Sequence, residues 1–324
     1  MRIAIDAMGN DNGSQIFIDA IKTFLSDHND TEIVVFGDCN DFKEFKDDAR
    51  VEVVHCEETI NMDDGLLAIR RKKDASMNKM FDQLAEQKVD GGITAGSTAG
   101  LLTISILKIK TIEGIERPCF IATVPAKGNR LFQYLDMGAN SDNTPMHLYQ
   151  FAMMGKLYAQ IVFNISDPKI QLLNIGAEKN KGDKLHKEAY QLLANSNELS
   201  FIGNVEGRDM FNGDADVIVT DGLSGNMTLK AVEGTASFAF GELKNIIHGS
   251  FINKLAGMIL KKSLSKLKDD LDYSKYGGAI LIGLEKPVVK AHGSSNAKAI
   301  NSALLRLHTI IKNDTIEKMK RELK

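Results

Sequence analysis

A lysine and an asparagine stand where their side chains could do chemistry. Lys181 lies in the run Leu173-Asn174-Ile175-Gly176-Ala177-Glu178-Lys179-Asn180-Lys181-Gly182-Asp183, an apolar segment that opens into a polar loop. An ammonium beside glycine at a strand end can pair with phosphate as a point charge; a solvated loop cation accounts for it as well. Asn226 ends the run Val217-Ile218-Val219-Thr220-Asp221-Gly222-Leu223-Ser224-Gly225-Asn226. Its carboxamide can donate to a developing oxyanion, although capping a helix would explain an asparagine there equally well.

Two further turns resemble the one before Asn226. They contain Thr94-Ala95-Gly96-Ser97-Thr98-Ala99-Gly100 and Ala291-His292-Gly293-Ser294-Ser295-Asn296, each after a β-branched run and before a helical pattern. A helix that starts in such a turn points unpaired N–H groups and the positive end of its dipole into it. Three such junctions predict a site for an anion or an oxyanion. Gly96, Ser97, Thr98, Gly293 and Ser294 are therefore candidate phosphate contacts, with helix capping as the plain alternative for the hydroxyls. His292 is the one histidine in a glycine-bearing turn and the one candidate for proton transfer. Asp6 in Asp6-Ala7-Met8-Gly9-Asn10-Asp11, and Asp136 and Asn140 in Leu135-Asp136-Met137-Gly138-Ala139-Asn140, put polar groups at strand ends. They could touch substrate or simply hold their turns. The histidines are scattered, and no metal-ligand spacing is found.

These groups need a frame. Short β-branched runs at 3–6, 32–36, 51–55, 89–94, 120–124, 131–136, 170–175, 199–202, 217–220, 279–284 and 288–291 alternate with helical patterns. Such alternation predicts a mostly parallel sheet with crossover helices on both faces and ligands at the strands' carboxyl ends. Over 238–271 the strand signal disappears, and Leu243, Ile246, Ile247, Phe251, Leu255, Met258 and Ile259 recur at helical spacing. A break at Gly249-Ser250 predicts a protruding amphipathic hairpin within one domain spanning 1–324. Phe251, Ile252, Leu255, Met258 and Ile259, flanked by Lys254, Lys261 and Lys262, suit an anionic membrane surface; packing against a second copy is the alternative.

Composition excludes several classes. With 324 residues, 43% hydrophobic and 26% charged, the chain can bury a large core. A net charge of -3 points to no nucleic-acid partner. Arg70-Arg71-Lys72-Lys73 is the strongest basic cluster, either a solvated face or a dock for an acidic partner. Cys39, Cys56 and Cys119 are odd in number and unpaired in spacing, which fits a reducing compartment and small buried thiols. The sequence enters a strand directly at its start, with no stretch of about 20 apolar residues. A cytoplasmic, peripherally membrane-associated protein is expected.

The order and wording of these segments resemble the bacterial phosphate acyltransferase (PlsX) family. The resemblance runs nearly end to end, through the runs at 6–11, 62–64, 70–73, 136–140, 173–176, 203–209, 273–278 and 291–295. It implies transfer of a fatty acyl group from acyl carrier protein to inorganic phosphate, giving acyl phosphate for phospholipid synthesis. It also implies a phosphotransacetylase-like and isocitrate/isopropylmalate dehydrogenase-like three-layer α/β/α sandwich. A homodimer, no cofactor or metal, and a membrane-bound glycerol-3-phosphate acyltransferase as the consumer of the product complete the implication. The family's active lysine falls on Lys181 and its asparagine on Asn226, while Arg70, Arg71, Lys72 and Lys73 would meet the acidic carrier protein. The chain departs from the family pattern at Asn10, at Ala99-Gly100, at Ala177 and Asn180, and at Leu223-Ser224. A phosphotransacetylase using acyl-coenzyme A and a non-catalytic lipid- or carrier-binding module are the rival readings.

Overall fold

The computed structural model describes residues 1–271 and 276–323, with the side chains of 268–271 outside that description. Tyr273, Ser274 and Lys275 of the 273–278 run lie outside the described residues. The strands are β1 Arg2–Asp6, β2 Glu32–Gly37, β3 Val51–His55, β4 Gly91–Thr94, β5 Cys119–Ala126, β6 Arg130–Leu135, β7 Lys169–Leu173, β8 Ser200–Val205, β9 Val217–Val219, β10 Ala279–Ile282 and β11 Val288–Lys290. The helices are α1 Gln15–Asp27, α2 Leu66–Arg71, α3 Ser76–Ala85, α4 Thr98–Lys108, α5 Pro145–Phe163, α6 Lys184–Ala194, α7 Gly222–His248, α8 Phe251–Leu271, α9 Ala297–Lys312 and α10 Thr315–Glu322.

One sheet runs through the molecule in the order β3-β2-β1-β4-β11-β10-β5-β6-β9-β7-β8. Successive side chains on a strand point to opposite faces, so each strand feeds two cores. Ile3 and Ile5 join a cluster with Phe17, Leu148 and Leu304 of α1, α5 and α9. Ala4, between them, packs with Met80, Phe81 and Leu101 of α3 and α4 on the other face. The expected three layers follow from that alternation.

Both flanks pair in parallel, as the alternation predicts. The centre does not, because β10 runs antiparallel to both β11 and β5, and β5 runs antiparallel to β6. No crossover helix separates β5 from β6; a tight turn with positive φ at Gly128 and Asn129 joins them. The antiparallel centre turns the carboxyl ends of the two flanks toward each other across β10. That strand has only four residues, about 13 Å. Side chains following β4 and β11 can thus face side chains following β6 and β9.

The helical hairpin is longer than the pattern over 238–271 suggests. α7 runs unbroken from Gly222, so the turn holding Asn226 and the outer stem belong to one helix. Gly234 and Gly241 did not break it; both sit in open space on its surface. Between Asn226 and Leu267 no residue is buried, and the two helices lean mainly on each other.

Candidate active site

A cavity of about 470 Å³ opens where the two flanks meet. Thr98, Lys290, His292, Gly293 and Asp11 line one wall. Met137, Gly138 and Asn226 line the other, with Phe120 and Ala279 from the central strands between them.

Asn226 is set in place by a loop that Asp136 organises. The buried carboxylate of Asp136 accepts from the amides of Phe120 (3.0 Å), Gly138 (3.2 Å), Ala139 (3.0 Å) and Asn140 (2.9 Å), and from Asn140 Nδ2 (2.8 Å). Burial pushes its pKa up, and these donors oppose that rise. The knotted loop lies directly against the first turn of α7. A Cβ on Gly225 would stand 1.8 Å from the Asp136 carbonyl oxygen, and one on Gly222 2.2 Å from that of Asn140. Only glycine permits this approach, which leaves Asn226 against Gly138 at the cavity edge. Asp221 caps the helix by accepting from the Ser224 amide at 2.9 Å. Asp136 and Asn140 thus hold the turn and do not line the cavity.

The opposite wall is built alike. Asp6 is buried and accepts from Ser76 Oγ (2.6 Å) and Thr94 Oγ1 (2.7 Å), so it ties β1 to α3 and β4 and does not reach the cavity. The Asp11 amide donates to the Gly293 carbonyl at 3.0 Å, and Asn12 Nδ2 to that of Ser295 at 2.9 Å, sewing the two turns together. Two amides expected to hold an anion are already used: Gly96 N–H donates to Thr94 Oγ1 and Ser294 N–H to His292 Nδ1. The Ser97 hydroxyl caps α4 by accepting from the Gly100 amide. α9 begins at Ala297 behind its cap Asn296. Within these turns, Thr98, His292 and Gly293 keep a place at the cavity.

Two lysines line the cavity: Lys230 of α7, paired with Glu233 at 2.7 Å, and Lys290, which sequence reasoning passed over. Lys290 ends β11, is partly buried, and donates to the Ala291 carbonyl at 2.7 Å. Burial lowers its pKa to about 8 against the opposing pull of Asp6 and Asp11. Its signal was available: a lysine closing an apolar run immediately before a Gly/Ser turn. Lys181 lies elsewhere, on the loop after β7, where it faces Glu178 at 3.8 Å and does not line the cavity. That loop adjoins α7 through His186, whose ring stands 2.8 Å from Asp183 and 3.4 Å from Asp221.

Other candidates are dispersed. Arg70, Arg71 and Lys73 are exposed around the end of α2, beside a second cavity of about 320 Å³ between α2, α3 and α4, whereas Lys72 is tied to Asp64 (2.5 Å) and the Thr59 carbonyl (3.1 Å). Phe251, Ile252, Leu255, Met258 and Ile259 are all exposed on α8. No helix among the described residues is long and apolar enough to cross a membrane. Cys56 and Cys119 are buried, and burial raises both thiols; Cys39, against expectation, is exposed. It joins Asp38 and His55 in a surface group whose donor atoms lie within 4.8 Å of one another, a grouping not visible from spacing because β2 and β3 bring it together.

The family described as a fatty acid synthesis protein matches residues 1–318. A phosphate acyltransferase of Staphylococcus aureus is 44% identical over 321 residues, covering 99% of this chain and 97% of that protein. The chain belongs to the PlsX family of phosphate acyltransferases. It is an enzyme of acyl transfer involving phosphate. A phosphotransacetylase from Streptococcus pyogenes shares the fold with a TM-score of 0.61 at 20% identity, over 98% of this chain and 94% of that one. A branched-chain phosphotransacylase from Enterococcus faecalis does so with a TM-score of 0.59 at 16% identity, over 96% and 99%. The phosphotransacetylase-like sandwich expected from the sequence is the fold observed.

Proposed function

We propose that this enzyme moves a fatty acyl group from the thioester of acyl carrier protein to inorganic phosphate, and that the acyl phosphate feeds phospholipid synthesis. The observation that carries this reading is the cavity with an ammonium, Lys290, on one wall and a carboxamide, Asn226, on the other. A phosphate oxygen attacks the thioester carbon, and the carbonyl electrons move onto an oxygen that receives the Asn226 N–H. Collapse of that tetrahedral species breaks the C–S bond, and the thiolate leaves with the electron pair and is protonated on release. Phosphate is a competent nucleophile and a thiolate leaves well, so no protein side chain need be acylated. Holding both reactants together lowers the barrier by up to roughly 7–11 kcal/mol, and an oxyanion donor adds about 2.7–4 kcal/mol.

Lys181 is proposed as a second phosphate cation, brought in by its loop when substrate binds. The exposed Arg70, Arg71 and Lys73 would meet an acidic carrier protein, with Lys72 bracing their turn. The α7–α8 stems would pair across a homodimer while the α8 tip rests on the membrane, where a glycerol-3-phosphate acyltransferase would take the product.

The test is phosphate-dependent cleavage of palmitoyl-acyl carrier protein with detection of acyl phosphate. Asn226→Ala should lower kcat by about 10²–10³-fold, and Lys181→Ala should raise the KM for phosphate at least about tenfold. Activity with acyl-coenzyme A alone would transfer the reading to a phosphotransacetylase. An unchanged kcat in the first variant, or an unchanged KM for phosphate in the second, would remove that residue from the mechanism.

A further inference from the structure

A third cavity, of about 720 Å³, starts where the one at Asn226 ends. Leu229 lines both, one turn of α7 beyond Asn226. From there the groove follows α7 past Val232 and Ala236 to Ala239, walled on the other side by Val124 and Pro125 of β5 and by Phe211. Its walls are mostly apolar, and its one carboxylate, Glu233, holds the Lys230 ammonium at 2.7 Å. From Asn226 to Ala239 is thirteen residues of helix, roughly 20 Å. That is the length of an extended long-chain fatty acyl group.

We infer that this groove is the binding site for the acyl chain of the thioester, with its carbonyl at Asn226 and its methyl end at Ala239. The assignment rests on the acyl transfer proposed above and adds to it the place where the chain is held. Continuity with the cavity fixes the occupant: a chain whose carbonyl carbon is attacked beside Asn226 has to leave that point, and Leu229 opens an apolar route of matching length. Each methylene buried there strengthens binding by roughly fourfold. Because the groove follows the helix, chain length is read by position along α7.

Two substitutions at different depths test this. Ala236→Trp obstructs the groove midway, and Ala239→Trp obstructs its outer end. Binding of a fluorescent long-chain fatty acid, displaced by palmitate, is measured independently of turnover. We expect Ala236→Trp to weaken it at least tenfold. In the transfer assay, the ratio of palmitoyl to butyryl kcat/KM should fall with both variants, and Ala239→Trp should spare decanoyl transfer more than Ala236→Trp does. Unchanged fatty-acid affinity in both variants overturns the assignment whether or not the wild type cleaves any thioester. So does a change in sedimentation of either variant, which would make the groove a face between copies of this chain. Fatty-acid binding without thioester cleavage would support the groove and instead count against the proposed reaction.

Discussion

At the scale of single residues, the polar groups nearest the strand ends divide into those that face the cavity and those that build its edges. Asp6 and Asp136 looked like site carboxylates, yet each is buried and spends its oxygens on neighbouring donors. Removing either would release a turn rather than a ligand. Lys290 is the reverse case, a residue that reads as a strand-end lysine and proves to be a partly buried cation of the cavity wall. Burial holds its pKa near 8, with Asp6 and Asp11 opposing the drop and His292 beside it on the same wall. The ammonium is therefore present below about pH 8 and is lost as pH rises through that value. Phosphate affinity should follow: its KM is expected to rise about tenfold per pH unit above 8, and Lys290→Arg, charged throughout, should move that limb beyond pH 9. Steady-state kinetics from pH 7 to 10 would show it, and an identical limb in the arginine variant would separate Lys290 from phosphate binding. Asn226 was legible because its turn carried both a cap pattern and a family motif. The place of Lys290 before a Gly/Ser turn was readable but its burial was not, because that is set by β10 and β4 on either side of it, and neither is local in sequence.

At the scale of elements, the site depends on how α7 is seated. Its first turn is fixed by glycine contacts with the 136–140 loop and by an ion contact to α6. The Asp221 carboxylate, 3.4 Å from the ring, raises the pKa of His186; burial opposes that rise, and Asp183 adds to it. A raised value means that stability from this contact is complete below the ordinary histidine pKa of about 6.5 and is lost as pH rises through the higher folded value. The urea midpoint should accordingly fall over that window, and His186→Gln should be less stable at pH 6 by about 1–3 kcal/mol with a flatter pH profile. Equal slopes in the two proteins would show that the ring does not secure α6 to α7. None of this pairing was visible in the sequence, since His186 and Asp221 come together only through the order β9-β7. The flanking parallel strands were legible because β-branched runs alternated with amphipathic helices. The antiparallel centre was not, because β5 and β10 are apolar on both faces like their parallel neighbours, and their direction is decided by the connections between them.

At the scale of the whole molecule, one sheet carries the chemistry and one pair of helices leaves it. Because α7 is unbroken from the cavity to the far turn, whatever the hairpin tip touches is mechanically joined to Asn226. The tip is strongly apolar for an exposed surface: Phe251 is 76% exposed, Ile252 77% and Ile259 82%. These residues recur with Leu255 and Met258 on one face of α8, with Lys254, Lys261 and Lys262 exposed around them. An amphipathic helix of this kind buries its apolar face at the headgroup boundary and pairs its lysines with anionic lipids. A lone helix packing against a second copy would need no such basic margin. The two occupants respond differently to charge. If the tip meets lipid, Leu255→Glu should abolish co-flotation with vesicles of phosphatidylglycerol, and raising the salt should weaken wild-type flotation, while sedimentation of the variant stays that of the wild type. If the tip packs against a second copy, the same substitution should change sedimentation and leave flotation unmoved. Lipid contact would also explain why the acyl groove climbs α7 toward the tip: a product with a long apolar tail would leave along the same helix that touches the bilayer.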